Sequence, residues 1–289
     1  MAAIHLLFQT LKPNDLVLAS CDLYGGTHRL LMQLAQDARL RVIYADTSDL
    51  ASTAAAIQAH QPQLVYVETP SNPLLKITDI QSVAGHCARA GAVLAVDNTF
   101  LSPSGQQPLA LGADVVLHST TKYINGHSDV IGGAVICKDA ALGEKLTWWA
   151  NCLGLSASPF DAHMTMRGAR TLFARSDLHA RNAQALATWL AGQSFCTDVF
   201  YPGFGGVLSV ELADRVDIAE ATARLKHFTL AESLGGVESL VAHPASMTHA
   251  AMTVEQRAQA GISERLLRFS VGIESEDCLL ADLKQAFID

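Results

Sequence analysis

No apolar run in this 289-residue sequence reaches the length of a membrane span, and no stretch gathers lysine and arginine into a basic cluster. The balance runs the other way, with 20 basic against 28 acidic side chains and a net charge of −8. Nucleic acid and anionic membrane are therefore poor partners. The six cysteines (Cys21, Cys87, Cys137, Cys152, Cys196, Cys278) are scattered, without a C-x-x-C pair or a histidine at ligand spacing. That argues against structural zinc and for a reduced, cytoplasmic compartment. Residues 1–11 are apolar but lack a basic n-region and a small-residue cleavage site, so they do not read as a signal peptide. Repeats and low-complexity tracts are missing as well. Charged residues make up only 17% and hydrophobic ones 49%. Such a composition suits an α/β globule with large interfaces.

What is present is an alternation. Residues 2–11 have helical spacing and stop at Pro13. Short apolar runs at 16–19, 41–44, 64–67, 93–96, 115–117 and 130–137 alternate with helical patterns at 27–38, 50–60 and 79–90. The alternation predicts a mostly parallel sheet covered on both faces. After about residue 150 the rhythm changes. A long helix or broken pair over 161–190 precedes short strands at 199–201, 207–212 and 266–271 and helices at 218–226, 253–260 and 276–288. The expected division is a large domain over 1–155 and a smaller α+β domain over 156–289.

Open parallel sheets bind ligands beyond the carboxyl ends of their strands. The strand ends deliver Tyr24-Gly25-Gly26, Glu68-Thr69-Pro70-Ser71-Asn72-Pro73, Asp97-Asn98-Thr99 and Ser119-Thr120-Thr121-Lys122. An aromatic face, an amide, carboxylates, hydroxyls and an amine thus converge on one rim. Lys122 has no charged neighbour nearer than Asp129, and a lysine held in a cleft titrates readily and forms Schiff bases with carbonyl compounds. Taken alone it is equally an ordinary loop lysine, Asp97 a turn or cap carboxylate, and Arg268 half of a surface ion pair. Pyridoxal 5′-phosphate needs an anchoring lysine, a carboxylate at its pyridinium nitrogen and donors for its phosphate. Lys122, Asp97, Ser119 and Thr121 supply those, with Tyr24 free to stack on the ring.

The run Ser119-Thr120-Thr121-Lys122-Tyr123-Ile124-Asn125-Gly126-His127-Ser128-Asp129 resembles the cofactor-attachment signature of the Cys/Met-metabolism enzymes, which include cystathionine γ-synthases and γ-lyases, cystathionine β-lyases and methionine γ-lyases. Similar segments follow in order, among them Tyr24-Gly25-Gly26-Thr27, Val96-Asp97-Asn98-Thr99-Phe100, Ala231-Glu232-Ser233-Leu234-Gly235-Gly236 and Arg268-Phe269-Ser270-Val271-Gly272. The resemblance implies the aspartate-aminotransferase-like architecture of fold type I, pyridoxal phosphate as cofactor, and a homotetramer whose active sites are shared between subunits. It makes Lys122 the Schiff-base lysine and proton shuttle, Asp97 the pyridinium partner and Tyr24 the stacking and catalytic tyrosine. Ser119, Thr121 and Met1 would bind phosphate, Arg268 and Asn72 the substrate carboxylate, and Ser233 would help hold that carboxylate or the lysine. Two departures stand out. The family's N-terminal segment, with a Tyr-x-Arg motif reaching into the neighbouring phosphate site, is absent, and a loop is skipped between Pro202 and Gly203. The expectation is that this chain is the ordered part of a longer protein.

Within the family, Trp148-Trp149-Ala150-Asn151, the run from Phe228 to Leu240 and Met247-Thr248-His249-Ala250 look synthase-like, whereas His243-Pro244-Ala245-Ser246 looks lyase-like. Glu232 is the informative residue, because a carboxylate near the distal end of a substrate could hold the ammonium of cysteine or cystathionine. The implied reaction is γ-replacement of the acyl group of O-succinylhomoserine by cysteine to give cystathionine, in methionine biosynthesis. The alternatives are γ-elimination from cystathionine to cysteine, 2-oxobutanoate and ammonia, and a catalytically silent relative acting as a subunit or regulatory protein.

Overall fold

In the computed structural model, residues 1–250 and 252–288 are described. The chain divides into two compact units, the first comprising Met1–Asn72, Lys76–Thr121 and Val130–Thr165, the second Pro73–Leu75, Lys122–Asp129 and Met166–Asp289. The first unit therefore runs on past the expected boundary at residue 155.

The first unit carries α1 (Ala2–Phe8), β1 (Leu16–Ser20), α2 (Gly25–Gln36), β2 (Arg41–Ala45), α3 (Leu50–His60), β3 (Leu64–Glu68), α4 (Ile80–Ala90), β4 (Val93–Asp97), α5 (Ser102–Gly105), β5 (Val115–Ser119), β6 (Gly133–Cys137) and α6 (Ala140–Leu153). The strands form one sheet in the order β2-β1-β3-β4-β5-β6, parallel except for β6, which runs antiparallel to β5. The apolar run over 130–137 thus yields a strand only from Gly133, after a turn in which the Thr120 N–H donates to the Gly132 carbonyl at 3.0 Å. β1 and β3 are buried along their whole length, as a sheet covered on both faces requires. One face packs on Ile4, Leu7, Phe8, Leu31 and Leu34, the other on Ile57, Ile80, Val83 and Cys87. Asp49, Asp79 and Asp139 cap α3, α4 and α6 by accepting first-turn N–H groups. Because β2 and β3 lie on opposite sides of β1, the strand order reverses there. The ends of β1, β3, β4 and β5 open on the same edge.

The division falls inside α7 (Pro159–Ala169). The pattern over 161–190 resolves into a broken pair, since the chain turns at Arg170–Thr171 before α8 (Leu172–Ala191), with the Thr171 hydroxyl donating to the Gly168 carbonyl at 3.1 Å. The second unit continues with β7 (Cys196–Phe200), β8 (Val207–Leu212), α9 (Ile218–Arg224), β9 (Thr229–Leu230), β10 (Leu240–Ala242), α10 (Val254–Gln259), β11 (Leu266–Ser270) and α11 (Glu276–Phe287). Its sheet has the order β7-β8-β11-β10-β9, all antiparallel except the β10–β9 pair. Leu208, Val210, Leu267 and Phe269 pack with Leu186 and Leu190 of α8 and Leu279 and Leu283 of α11. Side chains alternate along a strand, so Arg268 and Ser270 stand on the face away from this core.

Candidate active site

The first unit gathers its polar residues at the carboxyl edge of its sheet. Asp97 ends β4 in register with Glu68, which ends β3, and only 8% of Asp97 is exposed. Its Oδ1 accepts from the Thr99 N–H at 3.0 Å and the Thr99 hydroxyl at 2.5 Å, while Oδ2 accepts from the Tyr66 hydroxyl at 3.2 Å. Burial raises the Tyr66 phenol well above its usual pKa, and the carboxylates of Asp97 and Glu68 raise it further, so it stays a donor. Thr99 also accepts from the Ser119 N–H at 2.9 Å, tying the end of β5 to the Asp97 turn.

The hydroxyl of Ser119 makes no hydrogen bond among the described residues. That of Thr121 is engaged with Gly132, donating to its carbonyl at 3.3 Å and accepting its N–H at 3.0 Å. Tyr24 precedes α2, with its N–H on Glu68 Oε2 at 2.8 Å and its ring 45% exposed. A Cβ at Gly26 would lie 2.5 Å from Tyr24 Cε1 and 2.7 Å from the Met1 sulfur, so glycine is what lets these two side chains meet over the start of α2. Asn72 is buried at the end of the loop after β3. An oriented buried carboxylate, an unengaged hydroxyl, an exposed aromatic face and glycine-opened backbone at a helix start fit a phosphorylated aromatic cofactor.

The second unit brings together Lys122, Ser233, Glu232 and Arg268. Lys122 Nζ donates to the Ser233 hydroxyl at 3.0 Å. Burial, then the positive charge of Arg268, push its pKa down to about 8, against a smaller upward pull from Glu232. Arg268, 2% exposed on β11, donates through Nη2 to the carbonyls of Glu232 at 2.8 Å and Ser233 at 3.1 Å. The arginine therefore holds the loop whose hydroxyl holds the lysine. Glu232 itself is exposed.

Several contributors have no distinct mark in the sequence. Tyr66 reads as one more apolar residue of β3. Arg175, His179 and Asn182 read as the polar side of an amphipathic helix, yet they are 5%, 0% and 6% exposed. Arg175 donates to the carbonyls of Tyr123 (2.9 Å), Ile124 (3.3 Å) and Gly168 (2.9 Å) and to the Thr171 hydroxyl (3.0 Å), and burial lowers its pKa from the usual value. The lysine loop passes it closely. At Gly126, where φ is +73°, a Cβ would lie 2.1 Å from an Arg175 nitrogen, and at Gly168 a Cβ would lie 2.2 Å from the Asn125 carbonyl oxygen. A spacing of i, i+4 and i+7 on one helix was the available signal for the α8 residues.

Comparison with known proteins shows the family. The model of the Cys/Met metabolism PLP-dependent enzymes matches residues 1–288. The cystathionine γ-synthase of Escherichia coli (strain K12) is 48% identical over 305 aligned residues, covering 99% of this chain and 79% of the relative. The cystathionine γ-lyase of Bacillus subtilis (strain 168) is 40% identical with the same coverage of each. The crystal structure of cystathionine γ-synthase from Xanthomonas oryzae pv. oryzae, in complex with cystathionine, superposes with a TM-score of 0.96 at 52% identity, covering 99% of this chain and 78% of that one. The chain belongs to the Cys/Met metabolism PLP-dependent enzymes, with the fold of the cystathionine synthases and lyases.

Proposed function

We propose that this enzyme replaces the succinyl group of O-succinylhomoserine with cysteine, forming cystathionine. The observation that carries the reading is the Lys122 amine, held on Ser233 with its pKa brought down to about 8 beside Arg268 and Glu232. Against an ordinary lysine, that raises the share of neutral amine near pH 7.5 by roughly two orders of magnitude. When bound, pyridoxal phosphate supplies an electron sink for negative charge at the substrate α-carbon.

The chain does the rest. Lys122 would anchor the cofactor and, as the neutral amine, take a proton from the substrate α-carbon, pass it on, and then, neutral again, take one from the β-carbon. Succinate leaves the γ-carbon, the cysteine sulfur, having lost its thiol proton, bonds there, and Lys122 returns protons to the β- and α-carbons. Ser233 keeps the amine directed. Arg268 binds the substrate α-carboxylate with Asn72 and Ser233, a task suited to a planar guanidinium. Asp97, oriented by Thr99 and Tyr66, would pair with the ring nitrogen, Tyr24 would stack on the ring, and Ser119, Thr121 and Met1 would contribute to the phosphate site. Glu232 receives the ammonium of the incoming cysteine. Higher identity to the synthases than to the γ-lyase, 48% and 52% against 40%, supports replacement over elimination.

γ-Elimination from cystathionine is the second reading, since the γ-lyase also matches over 99% of this chain. Assays with O-succinylhomoserine plus cysteine, and with cystathionine alone, separate the two: cystathionine formation is expected, and faster release of 2-oxobutanoate from cystathionine would reverse the assignment. Lys122→Ala is expected to abolish both, and near-native turnover in that variant would end the proposal.

A cytoplasmic homotetramer with shared active sites is part of the same proposal. Trp148 and Phe160 in the first unit and Met166 and Phe173 in the second leave 60%, 71%, 60% and 63% of their surfaces exposed, which supports burial between subunits. No helix among the described residues is long and apolar enough to cross a membrane.

A further inference from the structure

One face of α8 reaches both the lysine loop and the end of the arginine strand. Arg175 binds the carbonyls of Tyr123 and Ile124, the two residues that follow Lys122. Four residues on, His179 Nδ1 contacts the Val271 carbonyl at 2.6 Å, and its ring meets Tyr123 edge-on with centroids 5.2 Å apart. Three residues further, Asn182 donates to the carbonyls of Gly272 at 3.0 Å and Glu274 at 2.9 Å, in the turn that leaves β11 just beyond Arg268. That turn is closed by the Glu274 carboxylate, which accepts the Ser239 N–H at 2.7 Å and hydroxyl at 2.8 Å. The Ser239 hydroxyl in turn accepts the Gly272 N–H at 2.8 Å.

These contacts are more than the packing of a helix needs. The apolar face of α8 is already in the core through Ala183, Leu186 and Leu190. Among the described residues Arg175 has no carboxylate partner, so its buried charge is compensated by carbonyls and one hydroxyl. Withdrawing the lysine loop would strand that charge, which makes the contact hard to break. An α-helix is also a stiff bar, and its rise puts Arg175 and Asn182 about 10 Å apart along the axis.

We propose that α8 fixes the spacing between the Lys122 amine and the Arg268 guanidinium, with Arg175 the positioning residue for the lysine and Asn182 the positioning residue for the arginine. The proposal rests on the reading of Lys122 as the acting base and Arg268 as the carboxylate clamp. Its consequence is that disturbing one end affects the two residues to different degrees.

Arg175→Lys keeps a charge but cannot reach three carbonyls in one plane. It should lower kcat about tenfold to a hundredfold, the scale of a small misplacement of a reacting group, with KM changed less than about twofold. In the cofactor-free protein, acetylation of Lys122 by trace acetic anhydride at pH 8, followed by peptide mass, should slow about tenfold as the freed amine returns toward ordinary basicity. Asn182→Ala should raise KM for O-succinylhomoserine about tenfold, the scale of a lost hydrogen-bond anchor, and change the Lys122 labelling rate less than about threefold, because Arg268 reaches the amine only through its charge and the Ser233 loop. If Arg175→Lys does not fold, Thr171→Val removes the contact at Nε together with the hydroxyl's bond to the Gly168 carbonyl, leaves the three carbonyl contacts of Arg175 in place, and should shift kcat and labelling in the same directions by less. Equal effects of the lysine-side and arginine-side variants on kcat and KM, or an unchanged labelling rate in Arg175→Lys or its substitute Thr171→Val, would overturn the proposal. Lys122→Ala is run beside them: turnover surviving there refutes the roles assigned to the site, whereas labelling in the cofactor-free protein tests α8 alone.

Discussion

Replacing Lys122 by methionine is expected to stabilise the cofactor-free protein. Lysine in an unfolded chain titrates near 10.5, and in the folded protein Lys122 titrates at about 8, chiefly because burial penalises its charge. Holding the protonated amine in place therefore costs the folded state about 3 kcal/mol. Methionine is similar in length and carries no charge. Losing the hydrogen bond to Ser233 returns about 1 kcal/mol of that gain, leaving about 2 kcal/mol of net stabilisation at pH 7. The sign follows from the protons bound. Between the two pKa values the unfolded chain holds a proton that the folded one has released, so wild-type stability rises with pH through this window. The advantage of the variant is therefore full below about pH 8 and fades toward pH 10.5. Scanning calorimetry at pH 7 should show Lys122→Met melting roughly 3 °C above wild type, with most of the gap gone by pH 9.5. A variant that melts at or below wild type at pH 7, or a gap that does not shrink with pH, would refute the reasoning.

Three other perturbations have definite expected outcomes. Asp282 on α11 accepts the N–H groups of Lys226, His227 and Phe228, so Asp282→Ala should cost about 3 kcal/mol or more in urea unfolding by leaving them without an acceptor. Gly168→Ala, a change that usually favours a helix, should instead destabilise, because the new methyl would press on the Asn125 carbonyl oxygen; a raised melting temperature would contradict the close approach seen there. Asp22 is pushed up to about 6 by burial, and it accepts the Ser71 hydroxyl at 2.5 Å. The folded protein then holds the extra proton between about pH 4 and 6, and the ionised form is the costly one. Asp22→Asn should therefore raise the melting temperature at pH 7 and lose that advantage as the pH falls to 4.

The candidate site is legible in the rhythm of the sequence. A parallel sheet must place ligand-binding residues after its apolar runs, so Asp97, Ser119 and Lys122 could be found at strand ends before any neighbour was known. β9 and β10 are not legible, because two or three residues carry no period; β10 is held by pairing with β11, and β9 by pairing with β10. Direction was hidden in the same way. Nothing local to Gly133–Cys137 says that it runs against β5; the turn through Gly132 does. Tyr66 could not be distinguished because a phenol and an aliphatic side chain look alike in an apolar strand until the oxygen meets Asp97. The polar face of α8 is unmarked for the opposite reason, since polar spacing on a helix ordinarily means solvent and here means main-chain carbonyls.

The partners of Arg175 are three carbonyls and a hydroxyl, none of which gains or loses a proton in the range where enzymes work, and a guanidinium keeps its own charge there. The anchor of the lysine loop is thus blind to pH in the interval where Lys122 is most sensitive to it. The amine can change its charge state during turnover while the backbone that carries it holds one geometry.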